Sequence, residues 1–165
     1  MKHHNKKNHL PLFGVGPFIV FGQIGFTVIT IIISKVLEWD TVSFGLFKTP
    51  FIILGYALII TGICFDVSAK YNSKLFKHVE ENKLITTGIY GIVRNPVYSG
   101  AFLGCLGAVL ITNNILLIFV PFICWIYMTV FLILTEEKWL KDLYGQEYID
   151  YCKKVNRCIP WFSKK

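Results

Sequence analysis

Polar residues punctuate this 165-residue chain between long apolar runs. Between Lys7 and Lys35 lie 27 residues without an Asp, Glu, Lys or Arg. A helix needs about 20 mostly apolar residues to cross a bilayer core. The pattern predicts a first span over about Phe13–Ser34. Pro17 and the glycines at 14, 16, 22 and 25 are expected to loosen or kink its first half. Pro50 opens a second span that runs to about Phe65, with Asp66 at its exit. Between Arg94 and Glu136 a further 41 residues carry no charge, and the turn-forming triplet Thr112-Asn113-Asn114 sits near their middle. This reads as a helical hairpin, with a third span over about Pro96–Ile111 and a fourth over Ile115–Thr135. Beyond Glu137, Leu140, Leu143, Tyr144, Tyr148, Tyr151 and Val155 recur every three or four residues. That spacing predicts an amphipathic helix at the interface, with a break near Gly145 and a stop at Pro160.

The expected fold is therefore an all-α integral membrane protein of about four transmembrane helices. Spans 3 and 4 form a hairpin, and an amphipathic cytoplasmic helix follows. One domain covers residues 1–165, with spans 1 and 2 within 1–68 and the candidate site within 76–160.

Composition agrees. The chain is 54% hydrophobic, and its mean hydropathy is +0.55. Soluble domains are nearer to about 45–50% apolar. The net charge of +7 is not a nucleic-acid stripe, because the cations lie between apolar spans. Of the 17 Lys and Arg residues, only Lys35 and Lys48 fall in the loop opposite the termini. The positive-inside rule then places both termini on the cytoplasmic side of a cytoplasmic (inner) membrane. The basic head Met1–Lys7 resembles the start of a signal peptide. The apolar run after it is too long and has no small-residue cleavage site, so an uncleaved anchor is expected. Five cysteines without a C-x-x-C spacing, at least two of them inside spans, argue against a disulfide framework or a zinc site. No metal site is expected, and His3, His4 and His9 read as a solvated basic tail.

The hairpin returns Glu136-Glu137 to the membrane face that carries Arg94. Each residue near these ends has a plain structural reading. Asn95-Pro96 is a helix start, with Asn as cap and Pro at the first helical position. Tyr90 and Tyr98 serve as interfacial aromatics, and Arg94 as an anchor. Gly100, Gly104 and Gly107 form a small-residue packing face, within the chain or between chains. Taken together, the plain readings weaken. Anchors at a membrane exit are normally Lys or Arg, not paired glutamates. An arginine, two tyrosines and two carboxylates at one face offer complementary chemistry to a zwitterionic ligand. The arginine pairs with a carboxylate, a glutamate accepts from an ammonium, and a tyrosine stacks on a base or a cation.

At this point the chain resembles a known family. Leu84-Ile85-Thr86-Thr87-Gly88-Ile89-Tyr90, Arg94-Asn95-Pro96-Val97-Tyr98-Ser99-Gly100, Glu136-Glu137 with Leu140, Tyr144-Gly145-Gln146-Glu147-Tyr148, Tyr151 and Ile159-Pro160 follow one order and spacing. They resemble the isoprenylcysteine carboxyl methyltransferase and phospholipid methyltransferase superfamily of integral membrane enzymes. The resemblance covers about Phe76–Pro160 and implies S-adenosylmethionine as cofactor, with S-adenosylhomocysteine as product. It implies that Glu81, Asn82, Lys83, Leu84, Ile85, Tyr90, Asn95, Pro96, Val97, Tyr98, Glu136 and Tyr148 bind the cofactor. Arg94 and Glu137 are the candidate catalytic residues beside it. Tyr148 and Tyr151 would cover the cofactor. Two departures narrow the picture. The family's usual Arg-His-Pro-x-Tyr carries Asn95 in place of His, which removes a group that titrates near neutrality. Prenylcysteine enzymes carry an arginine four positions before the first glutamate, and here that position is Leu132.

The implied activity is methyl transfer to a lipophilic acceptor that enters from the bilayer, with the cofactor at the cytoplasmic face. The acceptor's identity and the oligomeric state stay open. The partners are that substrate and membrane lipids, without nucleic acid. The alternatives are a membrane reductase using NADPH, which needs several cations converging on a pyrophosphate, and a non-catalytic small membrane protein.

Overall fold

The computed structural model describes residues 14–39, 43–73, 78, 81 and 83–159. The chain is an all-α membrane protein built from six helices among the described residues: α1 Gly16–Val36, α2 Lys48–Val67, α3 Pro96–Ile111, α4 Phe119–Leu134, α5 Glu136–Tyr144 and α6 Gln146–Lys154. Phe13, His3, His4, His9, Asn82 and Pro160 lie outside the described residues.

Three apolar helical segments are long enough to cross a bilayer: Gly16–Val36, Gly45–Asn72 and Ile115–Tyr144. The fourth, α3, has 16 residues. At 1.5 Å per residue it reaches about 24 Å, short of a core of about 30 Å. Large apolar side chains such as Phe18, Phe21, Ile53, Ile60, Phe119 and Phe122 point outward. In water such a surface would drive aggregation, whereas facing lipid tails it is the expected arrangement.

The first helix runs without a break from Gly16 to Val36. Pro17 falls in its first turn, where no i−4 partner exists for the missing N–H. The second helix starts two residues before Pro50 and continues through Asp66, which pairs with Lys70 one turn on at 2.8 Å. The hairpin turn at 112–114 is as expected. Asn113 has φ 56°, and Asn114 Oδ1 accepts from the Leu116 N–H at 2.9 Å. The Asn114 amide also donates to Trp39 O at 3.3 Å, so this turn and the α1–α2 connection share one end of the bundle.

The helix pair α2–α3 is the tightest contact, and glycine makes it possible. The two helices run antiparallel with Gly55 opposite Gly107 and Gly62 opposite Gly100. A Cβ on Gly62 would lie 2.5 Å from the Gly100 carbonyl oxygen, and one on Gly107 would lie 2.4 Å from that of Gly55. Only bare backbones approach so closely in lipid, where dispersion rather than water exclusion holds helices together. The small face proposed for Gly100 and Gly107 thus packs within the chain, while Gly104 has open space beside it. On the other side of α3, Ile19 of α1 meets Met128 and Leu132 of α4 together with Cys158, with Tyr98 and Phe102 packed against them.

The C-terminal helical stretch breaks at Gly145, as its sequence predicts. This residue adopts φ 55°, ψ −125°, a conformation that glycine supplies without a Cβ penalty. The elbow turns α6 back, so that residues 155–158 return to the head of α3.

Candidate functional site

Two segments meet at the head of α3. Val93 pairs with Asn156 in an isolated parallel bridge. The Arg94 N–H donates to Asn156 O at 2.8 Å, and the Asn95 N–H donates to Arg157 O at 3.0 Å. The Asn95 side-chain amide donates to the same Arg157 carbonyl at 3.1 Å. The Ser99 hydroxyl lies 2.7 Å from Cys158 O and 2.9 Å from Asn95 O, and its single proton serves one of them at a time. Residues 156–158 therefore form a strap along 93–99. This corrects the capping role expected of Asn95. It holds the cap position, but its side chain makes no cap bond and serves the strap instead.

Inside the strap sits a buried charge cluster. Glu137 is in the first turn of α5, and the Arg157 guanidinium grips its carboxylate with Nε at 2.6 Å and Nη2 at 3.0 Å. Arg94 Nη2 approaches Glu137 Oε1 at 3.1 Å, and both of these side chains are more than nine-tenths buried. Arg94 Nη1 donates to the Tyr148 hydroxyl at 3.2 Å and contacts the Cys152 sulfur. The guanidinium carbon stands 5.8 Å from the Tyr148 ring centroid, within cation–π range. Arg94 Nε is buried without an acceptor. The Glu137 carboxylate raises the Arg157 guanidinium above its usual range by accepting its hydrogen bonds. Burial raises the Tyr148 phenol above its usual range and pushes the Cys158 thiol up to about 12. Two guanidinium groups on one carboxylate leave one positive charge in excess.

The neighbouring glutamate behaves differently. Successive helical residues point about 100° apart, so Glu136 faces away from the two arginines. Its carboxylate accepts from the Tyr98 hydroxyl, its single hydrogen-bond partner among the described residues, and both side chains are half-buried. Tyr90 lies within electrostatic reach of both Glu136 and Asp66, and burial foremost raises its phenol above the usual range. The Tyr90 carbonyl accepts from the Tyr151 hydroxyl at 2.5 Å.

The structure thus brings Arg94, Glu137 and Tyr148 together, joins Tyr98 to Glu136, and sets Tyr90 and Asn95 against the C-terminal segments, with Pro96 fully buried at the start of α3. Val97 is half-buried in the first turn of α3. Glu81 and Lys83 form an exposed pair at 2.7 Å. Leu84 and Ile85 are half-buried in irregular chain between them and the turn at Gly88. A polar depression of about 360 Å³ between 68–73 and 87–92 is lined by Ser68, Asn72 and Thr87, and by none of the residues expected at the site. Sequence reasoning missed Arg157, Ser99 and the 156–158 carbonyls. The one signal was position, since Arg157 stands two residues before Ile159-Pro160. Among the described residues no group of three or more potential metal ligands occurs.

The chain thus has an all-α membrane fold with charges and tyrosines gathered at one end of its spans. The phospholipid methyltransferase family model matches residues 50–147, and the chain belongs to that family. The chain is 32% identical over 127 residues to protein-S-isoprenylcysteine O-methyltransferase B of Arabidopsis thaliana, covering 76% of this chain and 62% of that protein. It is 32% identical over 117 residues to the protein-S-isoprenylcysteine O-methyltransferase of Saccharomyces cerevisiae, covering 66% and 48%. The human protein-S-isoprenylcysteine O-methyltransferase is 28% identical over 121 residues, covering 67% and 42%. The matches thus span about three fifths or less of these relatives' length. No solved structure matches the chain at a significant level.

Proposed function

We propose that this chain transfers the methyl group of S-adenosylmethionine to a lipophilic acceptor held in the bilayer, with the cofactor at the cytoplasmic membrane face. The observation that carries the reading is the contrast within Glu136-Glu137. Glu137 accepts from two arginines, whereas Glu136 has one partner among the described residues and acceptor capacity to spare. A cofactor with an ammonium and a ribose diol fits that donor-hungry carboxylate. Glu136, Tyr98, Tyr90, Asn95, Pro96 and Val97 would hold it from the hairpin side. Glu81, Asn82, Lys83, Leu84 and Ile85 would hold it from the connecting segment, with Tyr148 behind Arg94.

When bound, the cofactor supplies an electrophilic methyl on a sulfonium. The protein needs no covalent nucleophile for such a transfer. Its task is to hold donor and acceptor in line and to exclude water. Arg94 and Glu137 serve that task by fixing the head of α3 against α5. A carboxylate or thiolate acceptor needs no base, while an amine or hydroxyl needs one, a role that Glu136 does not fill while its carboxylate holds the cofactor. The relatives are named for isoprenylcysteine, which makes its carboxylate the first acceptor to test. Leu132 is fully buried among Ile19, Met128 and Cys158 and offers that carboxylate no cation, so a phospholipid amine is tested beside it. Fifteen of the 17 Lys and Arg residues flank the site's end of the spans, which supports a cytoplasmic placement.

The test is isothermal titration of detergent-purified protein with S-adenosylhomocysteine and, separately, NADPH. Labelled S-adenosylmethionine is then incubated with N-acetyl-S-farnesylcysteine or phosphatidylethanolamine. Binding of S-adenosylhomocysteine and label in one acceptor support the reading. Binding of NADPH alone overturns it.

A further inference from the structure

We infer that Arg157 is a positioning residue that sets the geometry of the Tyr98–Glu136 pair. The inference rests on the function proposed above and extends it to a residue outside the family match at 50–147. Arg157 acts in two directions at once. Its carbonyl accepts both the backbone and the side-chain N–H of Asn95, at 3.0 and 3.1 Å. Its guanidinium takes both oxygens of Glu137, at 2.6 and 3.0 Å. Asn95 is three residues before Tyr98, and Glu137 is one residue after Glu136. One residue therefore ties the helix that carries the tyrosine to the helix that carries its carboxylate partner.

The side chain of Arg157 is 30% exposed, so it is not there to fill the core. The planar fork is what the position requires, because two parallel hydrogen bonds fix the angle of the carboxylate as well as its distance. With Glu137 held, the first turn of α5 keeps its rotation about the helix axis, and that rotation aims Glu136 at Tyr98. Arg94 does not supply this fork, because only its Nη2 reaches Glu137, at 3.1 Å, while Nη1 is turned to Tyr148 and Cys152 and Nε meets no acceptor. A lysine at 157 keeps the charge but loses the fork.

The experiment uses the full chain in detergent and measures S-adenosylhomocysteine affinity and thermal unfolding for wild type, Arg157→Gln and Arg157→Lys. The expected result is a Kd raised about tenfold in Arg157→Gln and by an intermediate factor in Arg157→Lys, because small displacements at a site are costly. A purely structural ion pair would lower the unfolding temperature and leave the Kd of the folded fraction unchanged, which overturns the inference. Should Arg157→Gln fail to fold, Arg157→Lys decides: a Kd raised several-fold supports positioning, and a wild-type Kd overturns it. Wild-type protein that does not bind S-adenosylhomocysteine overturns the methyltransferase reading and this inference with it. Wild-type binding with unaltered variants overturns the inference alone.

Discussion

Helix α3 is gripped twice, by opposite means. Along its membrane-embedded body, Gly100 and Gly107 meet Gly62 and Gly55 with no side chain between the backbones. At its head, Arg94 and the 156–158 strap lock it to α5 and α6 through charge and hydrogen bonds. The seam works by the absence of atoms, so it tolerates no addition. The clamp works by balanced charge, so it tolerates no subtraction. The difference follows from solvent. In lipid tails close packing is what holds helices together, whereas at the water edge a buried carboxylate must be paired.

The two grips separate most sharply under mutation. Glu137→Ala should cost about 3–5 kcal/mol, because it strands Arg94 in a buried position. Thermal or denaturant unfolding in detergent measures it, and a loss no larger than that of Glu136→Ala would erase the distinction between the paired glutamates. Gly62→Leu should cost about 3 kcal/mol or force α2 off α3, because its Cβ would meet backbone rather than a movable side chain. Wild-type stability in that variant would show that the seam is looser than its geometry. Glu136→Ala should cost only about 1 kcal/mol, yet abolish S-adenosylhomocysteine binding by titration. Gly104→Ala should be the mildest, stabilising by about 0.5 kcal/mol, since it improves helix propensity and meets nothing within 4 Å.

The seam and the clamp also differ in how far the sequence revealed them. Uncharged runs marked the spans, and Asn95-Pro96 and Thr112 bounded α3 at Pro96–Ile111, because such signals are local. Gly100 and Gly107 stood out as a small face. Their partners Gly55 and Gly62, also seven residues apart, were not matched to them, because pairing between helices leaves no trace in one helix's periodicity. Glu136, Glu137, Arg94 and Tyr98 were legible from the hairpin, which had to return one end to the other. Asn95-Pro96 marked the helix start, but local pattern cannot show that the Asn95 side chain is turned to a carbonyl 62 positions away. Arg157 was hidden among cations whose distribution already had an explanation in membrane orientation.

The Gly145 elbow has a consequence for how the molecule is made. It brings back residues 156–158, which are translated after every helix they hold, at about 5–20 residues per second. The membrane helices are therefore synthesised before the strap exists. Biogenesis has two separable stages, insertion first and ligand competence second. A ribosome stalled at Gly145 would leave a chain that is integrated in the bilayer but has no strap on α3.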